Sequence, residues 1–144
     1  MNERYHNTIV DGVVRVIVPF IQIFALYVIS HGHYGPGGGF QGGVILAASM
    51  MLLRLSLGEE EEHRRFSPTA AAAMASIGIL IYAAAGVIPM AFGGEFLDYS
   101  HLPIPGLPEP ELRSLGILVV ETGVSMVVWG TLVIIFDHII GSEP

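Results

Sequence analysis

The 144-residue chain contains no cysteine, which excludes disulfides and thiolate metal sites and leaves its redox compartment open. It contains no lysine either: six arginines are its whole positive complement against thirteen acids, for a formal charge of −7. No basic patch exists to meet phosphates, so nucleic acid is excluded as a partner. Charge of either sign is scarce. Only 13% of residues are charged, against about 25% in a soluble domain. What is there instead is apolar: 52% hydrophobic residues and a mean hydropathy of +0.64 point to an integral membrane protein. The first apolar run is too long for a signal-peptide core and no small-residue cleavage site follows it, so it is expected to stay as a membrane anchor.

Glycine is abundant, with 18 residues, and its densest stretch organises the chain. His33–Gly43 reads His-Tyr-Gly-Pro-Gly-Gly-Gly-Phe-Gln-Gly-Gly between two apolar runs. Pro36 pushes Gly35 out of the helical region, so a preceding helix stops before it. Gly38 and Gly42, and again Gly39 and Gly43, are four apart, a spacing that gives a membrane helix a flat face for a second helix. One reading is a tight corner plus a close helix contact. The other is an unwound segment whose carbonyl and N–H groups meet water or an ion, as non-helical backbone at membrane depth must.

The apolar pattern predicts an all-α protein with four transmembrane helices in one domain covering residues 1–144. The first span covers about Ile9–Ser30; Asp11 and Arg15 share a face on it, Pro19 can kink it, and Gln22 is suited to an interhelical hydrogen bond. The second covers about Gln41–Leu57, with Arg54 near its far end expected to snorkel. Glu59–Arg65 reads as a solvated charged hairpin. Ser67-Pro68 reads as a helix cap and first helical residue, opening a third span over about Thr69–Phe92 that is crowded with alanine and ends at Pro89, Gly93 and Gly94. Pro103, Pro105, Pro108 and Pro110 mark Glu95–Arg113 as an extended loop. The last span covers about Leu115–Phe136, with Asp137 and His138 following at the interface. Four spans place both termini on one side. Arg4, Arg15, Arg54, Arg64 and Arg65 gather there against Arg113 on the other, which makes both termini cytoplasmic.

Glu121 is the one acid deep within a span, about 9 Å from Leu115 along the helix. An ionised carboxylate there is costly, so it should face protein or water, or be protonated. Thr122 and Ser125 are close in sequence, and Ser125 is one turn away and able to hydrogen-bond it. Two roles stand open: a proton or cation site, and a neutral acid bonded to another helix. Gly116, Gly123 and Gly130 recur every seven residues and give the same helix a smooth seam. His31 and His33 lack a third metal ligand. No nucleophile–base pair is visible, and the glycine stretch is no phosphate loop, since no Gly-Lys-Ser/Thr follows it.

Gly32-His33-Tyr34-Gly35-Pro36-Gly37-Gly38-Gly39-Phe40-Gln41-Gly42-Gly43 resembles the motif of the MnhB component of multisubunit Na⁺/H⁺ antiporters, the Mrp or Mnh family. Gly116-Ile117-Leu118-Val119-Val120-Glu121-Thr122-Gly123-Val124 resembles a second, less specific segment of that family, and the likeness spans essentially the whole chain. The resemblance implies a small accessory subunit, not itself an enzyme and without a cofactor, in the cell membrane of a prokaryote. Its partners would be the lipid bilayer and the other membrane subunits of an antiporter that moves Na⁺ and H⁺. Similar subunits occur in membrane-bound energy-converting hydrogenases, so a redox complex is the alternative home; a purely structural scaffold is the third reading. Within the motif, His33, Pro36, Gly37, Gly38, Gly39, Phe40, Gly42 and Gly43 are the residues implied, with Glu121, Thr122 and Ser125 as ion-path candidates.

Overall fold

The structure, a computed structural model, describes residues 8–32, 37–57 and 66–141. Four helices carry the described residues: α1 (Thr8–His31), α2 (Gly38–Leu57), α3 (Pro68–Ala91) and α4 (Glu109–Gly141). All four are long and apolar enough to cross a membrane. A short 3₁₀ turn at Tyr99–His101 interrupts the connection between α3 and α4, and no strand occurs among the described residues. His33 and Pro36 of the glycine motif, the charged hairpin Glu59–Arg65 and the polar N-terminus lie outside them.

Local chemistry accounts for the boundaries. Ser67 caps α3, its hydroxyl accepting from Ala70 N at 3.2 Å, and Pro68 follows where its missing N–H costs nothing. Pro89 does not stop α3 but sits buried in its last turn. The stop comes from Gly93, whose φ of +88° closes a Schellman motif: Gly94 N donates to Pro89 O at 3.0 Å and Gly93 N to Met90 O at 3.3 Å. Gly37 takes φ +94° at the start of α2 and its carbonyl accepts from Gln41 N, so the glycine stretch from Gly38 onward is helical rather than unwound. Helix α4 begins six residues before Leu115. Pro110 falls in its first turn, where proline is tolerated, and Glu109 and Glu111 face the positive end of the helix dipole. At 33 residues it runs about 50 Å, well beyond a bilayer core of about 30 Å.

The helices stand in the row α1–α2–α4–α3, with α2 the most enclosed, 56% of its span buried against 22–28% for the others. The glycines decide this order. A methyl built on Gly38 would lie 2.9 Å from Val28 O and one on Gly42 3.0 Å from Ala25 O, so that pair seats α1. A methyl on Gly39 would lie 2.7 Å from Glu121 Cα and one on Gly43 2.8 Å from Ser125 O, so the second pair seats α4. On α4 the heptad glycines turn the other way: methyls on Gly123 and Gly130 would meet Gly78 O at 2.9 Å and Ala75 Cβ at 3.1 Å of α3. Backbones thus approach closely on three faces, as packing between membrane helices requires in the absence of a hydrophobic drive. Apolar contacts fill the remainder, with Val14 and Val18 of α1, Ala47, Met50 and Leu53 of α2, Ala71 of α3 and Val133 of α4 in one cluster. Gln22 makes the interhelical bond its position suggests, Nε2 donating to Ser49 Oγ at 3.3 Å.

Candidate functional site

Two acids lie on the same ridge of α4. Positions 121, 125, 129, 133 and 137 recur every four residues and face α2, placing Glu121 and Asp137 about 24 Å apart at opposite ends of that interface. The two are built differently.

Glu121 sits where α1 ends and α2 begins. Its backbone lies against Gly39, and its carboxylate packs against Gly32, where any side chain would occupy the carboxylate's place. Oε2 is enclosed and accepts no hydrogen bond among the described residues. Because α4 starts at Glu109, Glu121 is about 18 Å along it, at the level of the first turn of α2 rather than in the middle of the bundle. That turn presents the positive end of the α2 dipole, which favours an anion, and the last carbonyls of α1 present a negative end, which favours a proton or cation. Ser125 does not serve Glu121: its hydroxyl donates to Thr122 O at 2.8 Å. Thr122 is exposed and donates to Leu118 O at 2.8 Å. Both hydroxyls therefore satisfy their own helix, a common alternative for serine and threonine in apolar surroundings. Of the motif glycines, Gly38, Gly39, Gly42 and Gly43 are contact positions, and Phe40 points outward at 60% exposure.

Asp137 is not at the interface and Arg54 does not snorkel. They form an ion pair with side chains 8% and 1% exposed. Arg54 Nη2 also donates to Phe66 O at 3.0 Å and Nη1 to Val133 O at 3.5 Å, tying α2 to α4 and to the approach to α3. Nearby, Ser56 Oγ donates to Asp11 Oδ1 at 2.7 Å and ties α2 to α1. The sequence signal for the pair is one cation and one acid near the C-terminal ends of two parallel spans, separated by too many residues for spacing rules to join them.

Outside the helices, Asp98, Ser100 and His101 form a cluster in the loop between α3 and α4. Ser100 N donates to Asp98 Oδ1 at 3.3 Å, and His101 Nδ1 lies 2.7 Å from Asp98 Oδ2. The Ser100 hydroxyl, chiefly, and the Ser100 amide and His101 behind it, hold the Asp98 carboxyl below the usual aspartate range against a smaller opposing effect of desolvation. Tyr99 covers Gly116, and burial, then the neighbouring Tyr82, pushes its phenol up. His31 turns to its own helix, Nδ1 3.3 Å from Tyr27 O, and no group of three metal-ligating side chains occurs among the described residues.

The family model described as a domain related to the MnhB subunit of Na⁺/H⁺ antiporter matches residues 9–134. A Bacillus subtilis (strain 168) protein, named as the B component of a Na⁺/H⁺ antiporter, is 33% identical, the similarity covering 92% of this chain and 97% of that protein. A Staphylococcus haemolyticus protein named as an mnhB2 antiporter subunit is 29% identical over 97% of this chain and 99% of its own length. A Staphylococcus aureus (strain Newman) protein of the same name is 31% identical over 87% and 93%.

Proposed function

Since this chain belongs to the family of MnhB-related Na⁺/H⁺ antiporter subunits, an all-helical, multi-pass membrane component of a transport system, we propose that it is an accessory subunit of a multisubunit cation/proton antiporter in a prokaryotic cell membrane and that Glu121 exchanges protons or a cation there. Both termini face the cytoplasm in this reading, supported by the arginines near the Arg54 end of the bundle. The glycine corner and Glu121 then face outward. The relatives' names favour an antiporter over the hydrogenase-type assembly.

The observation that carries the ionic role is the enclosed Glu121 Oε2, which has no hydrogen-bond partner among the described residues. A neutral structural acid would spend its proton on a neighbour; an acid that loads and releases an ion has a state in which its oxygens wait for one. Its position at the α1–α2 corner supports access from that end without a path through the packed middle of the bundle. Glutamine keeps the size of glutamate but cannot change charge. In membrane vesicles, a complex carrying Glu121→Gln should keep its subunit stoichiometry and lose antiport rate or shift its pH profile. Wild-type rate and profile in an intact complex would refute the ionic role and leave the accessory one.

A further inference from the structure

The polar side chains around the Glu121 corner reach back to their own helices. On α4, Thr122 and Ser125 donate to Leu118 O and Thr122 O. On α1, Ser30 and His31, which precede Gly32, reach Leu26 O at 2.8 Å and Tyr27 O at 3.3 Å. On α2, Gln41 is exposed and lies over Gly37. No group of three metal-ligating side chains forms among the described residues. What the corner offers is one carboxylate, pressed against Gly32, with Oε2 enclosed.

We propose that the ion Glu121 exchanges is a proton, and that it does not bind a metal cation. The inference rests on the ionic reading of Glu121 above and narrows it. A hard cation shed of its water needs several oxygens converging on one point. A proton needs one. The first turn of α2 lies at the level of Glu121, and the positive end of that helix's dipole opposes a bound cation. The same dipole end favours the carboxylate left behind when a proton departs. The step is simple to balance: the carboxyl O–H bond breaks, the proton passes to water, and the electron pair stays on the oxygen. An enclosed ionised carboxylate is costly, so the neutral acid belongs to the enclosed state and the proton leaves when water reaches it. Few other charges bear on the exchange. His31 is the titratable group beside Gly32 on α1, and the charge on α2, Arg54, pairs with Asp137 at the far end. On α4 itself, Arg113 is two turns away and pairs with Glu109 at 2.7 Å. His33 and Tyr34 lie outside the described residues.

The test uses the intact complex in membrane vesicles and dicyclohexylcarbodiimide, an apolar reagent that adds to a protonated carboxyl and leaves a carboxylate alone. Mass spectrometry of the peptide carrying Glu121 reads the adduct, and Glu121→Gln should remove it, which assigns the site. Labelling of the unaltered complex should fall as pH rises, about tenfold per pH unit once the acid ionises. Na⁺, Li⁺ or K⁺ in place of choline, at equal ionic strength, should leave the labelling unchanged at every pH. Protection by any of these cations would overturn the proton assignment and leave the ionic role of Glu121 standing. Labelling that ignores pH, or no adduct at any pH, would show an acid that takes no proton from the medium and would overturn the proton assignment; joined to wild-type antiport in an intact Glu121→Gln complex, it would overturn the ionic role as well.

Discussion

Arg54 of α2 and Asp137 of α4 form a buried ion pair at the end of the bundle opposite Glu121. Arg54 also reaches the carbonyls of Phe66 and Val133, so one side chain joins three elements. Isolating either charge in an apolar interior costs far more than removing both. Arg54→Met or Asp137→Leu alone should lower the stability of the fold by about 3–5 kcal/mol, and the double substitution should recover most of that loss. Thermal unfolding of the four complexes, followed as loss of this chain from the membrane fraction, gives the comparison. Additive losses in the double variant would show that the two side chains do not act as a pair.

The glycine faces give a second prediction. Gly39 and Gly43 meet α4 of the same chain, so enlarging them breaks this chain's own fold ahead of any contact with a neighbour. Gly39→Leu should reduce the amount of the protein in the membrane. Gly12→Leu, at a position where an added side chain meets nothing, should be tolerated. Quantitative blotting of both variants against an unchanged partner subunit distinguishes them.

The same residues mark how far local sequence reaches. Ser67-Pro68 and Gly93-Gly94 act through neighbours a few residues away, so the limits of α3 are legible in the sequence. The four-residue spacing of Gly38, Gly39, Gly42 and Gly43 announces close helix contact, but spacing along one helix does not name its partner. That Gly38 meets α1 while Gly39 meets α4 depends on helix order. Proline density predicts a later start for α4 than Glu109, because Pro110 resembles a breaker although a first turn accepts proline. The later start places Glu121 closer to the helix end than its distance of about 18 Å from Glu109. Ser125 looks like a partner of Glu121 from sequence proximity, yet the backbone carbonyls of its own turn are nearer and win. The Arg54–Asp137 pair is not legible, since nothing local ties the two.

The loop cluster titrates in a predictable direction. With its carboxyl held below the ordinary aspartate range, Asp98 contributes stability that is fully present above that range and is lost as pH falls through the lowered value. At neutral pH the loop is therefore held, and only acid releases it. Ser100→Ala removes the largest stabilising contact, so the titration should move up towards the ordinary value and the loop should open at higher pH. Asp98 is one of three aspartates in the chain, which makes carboxyl-¹³C aspartate labelling a practical readout.

Orientation is tested by access. Glu95 is exposed in the loop between α3 and α4, beyond the end of α3. A cysteine there, in a chain that has none of its own, should react with an impermeant thiol reagent added outside intact cells. Labelling only after the cells are opened would reverse the proposed topology.

Gly32 and Glu121 give the sharpest test of the site's geometry, because the carboxylate occupies the space a side chain at position 32 would need. Gly32→Ala must displace that carboxylate or move α1, and overpacking of this kind costs about 1–3 kcal/mol. If the clash is with the carboxylate alone, the cost should vanish once the carboxylate is gone. Gly32→Ala should therefore lower the thermal stability of the wild-type complex and leave a Glu121→Ala complex almost unchanged. The same displacement should move the pH profile of antiport if Glu121 handles the ion, since the carboxylate would leave the junction of the two helix ends. Equal destabilisation by Gly32→Ala in both backgrounds would place the clash elsewhere on α1 and remove Gly32 from the site. Loss in the wild type only, together with a shifted pH profile, would tie Gly32 to the chemistry of Glu121.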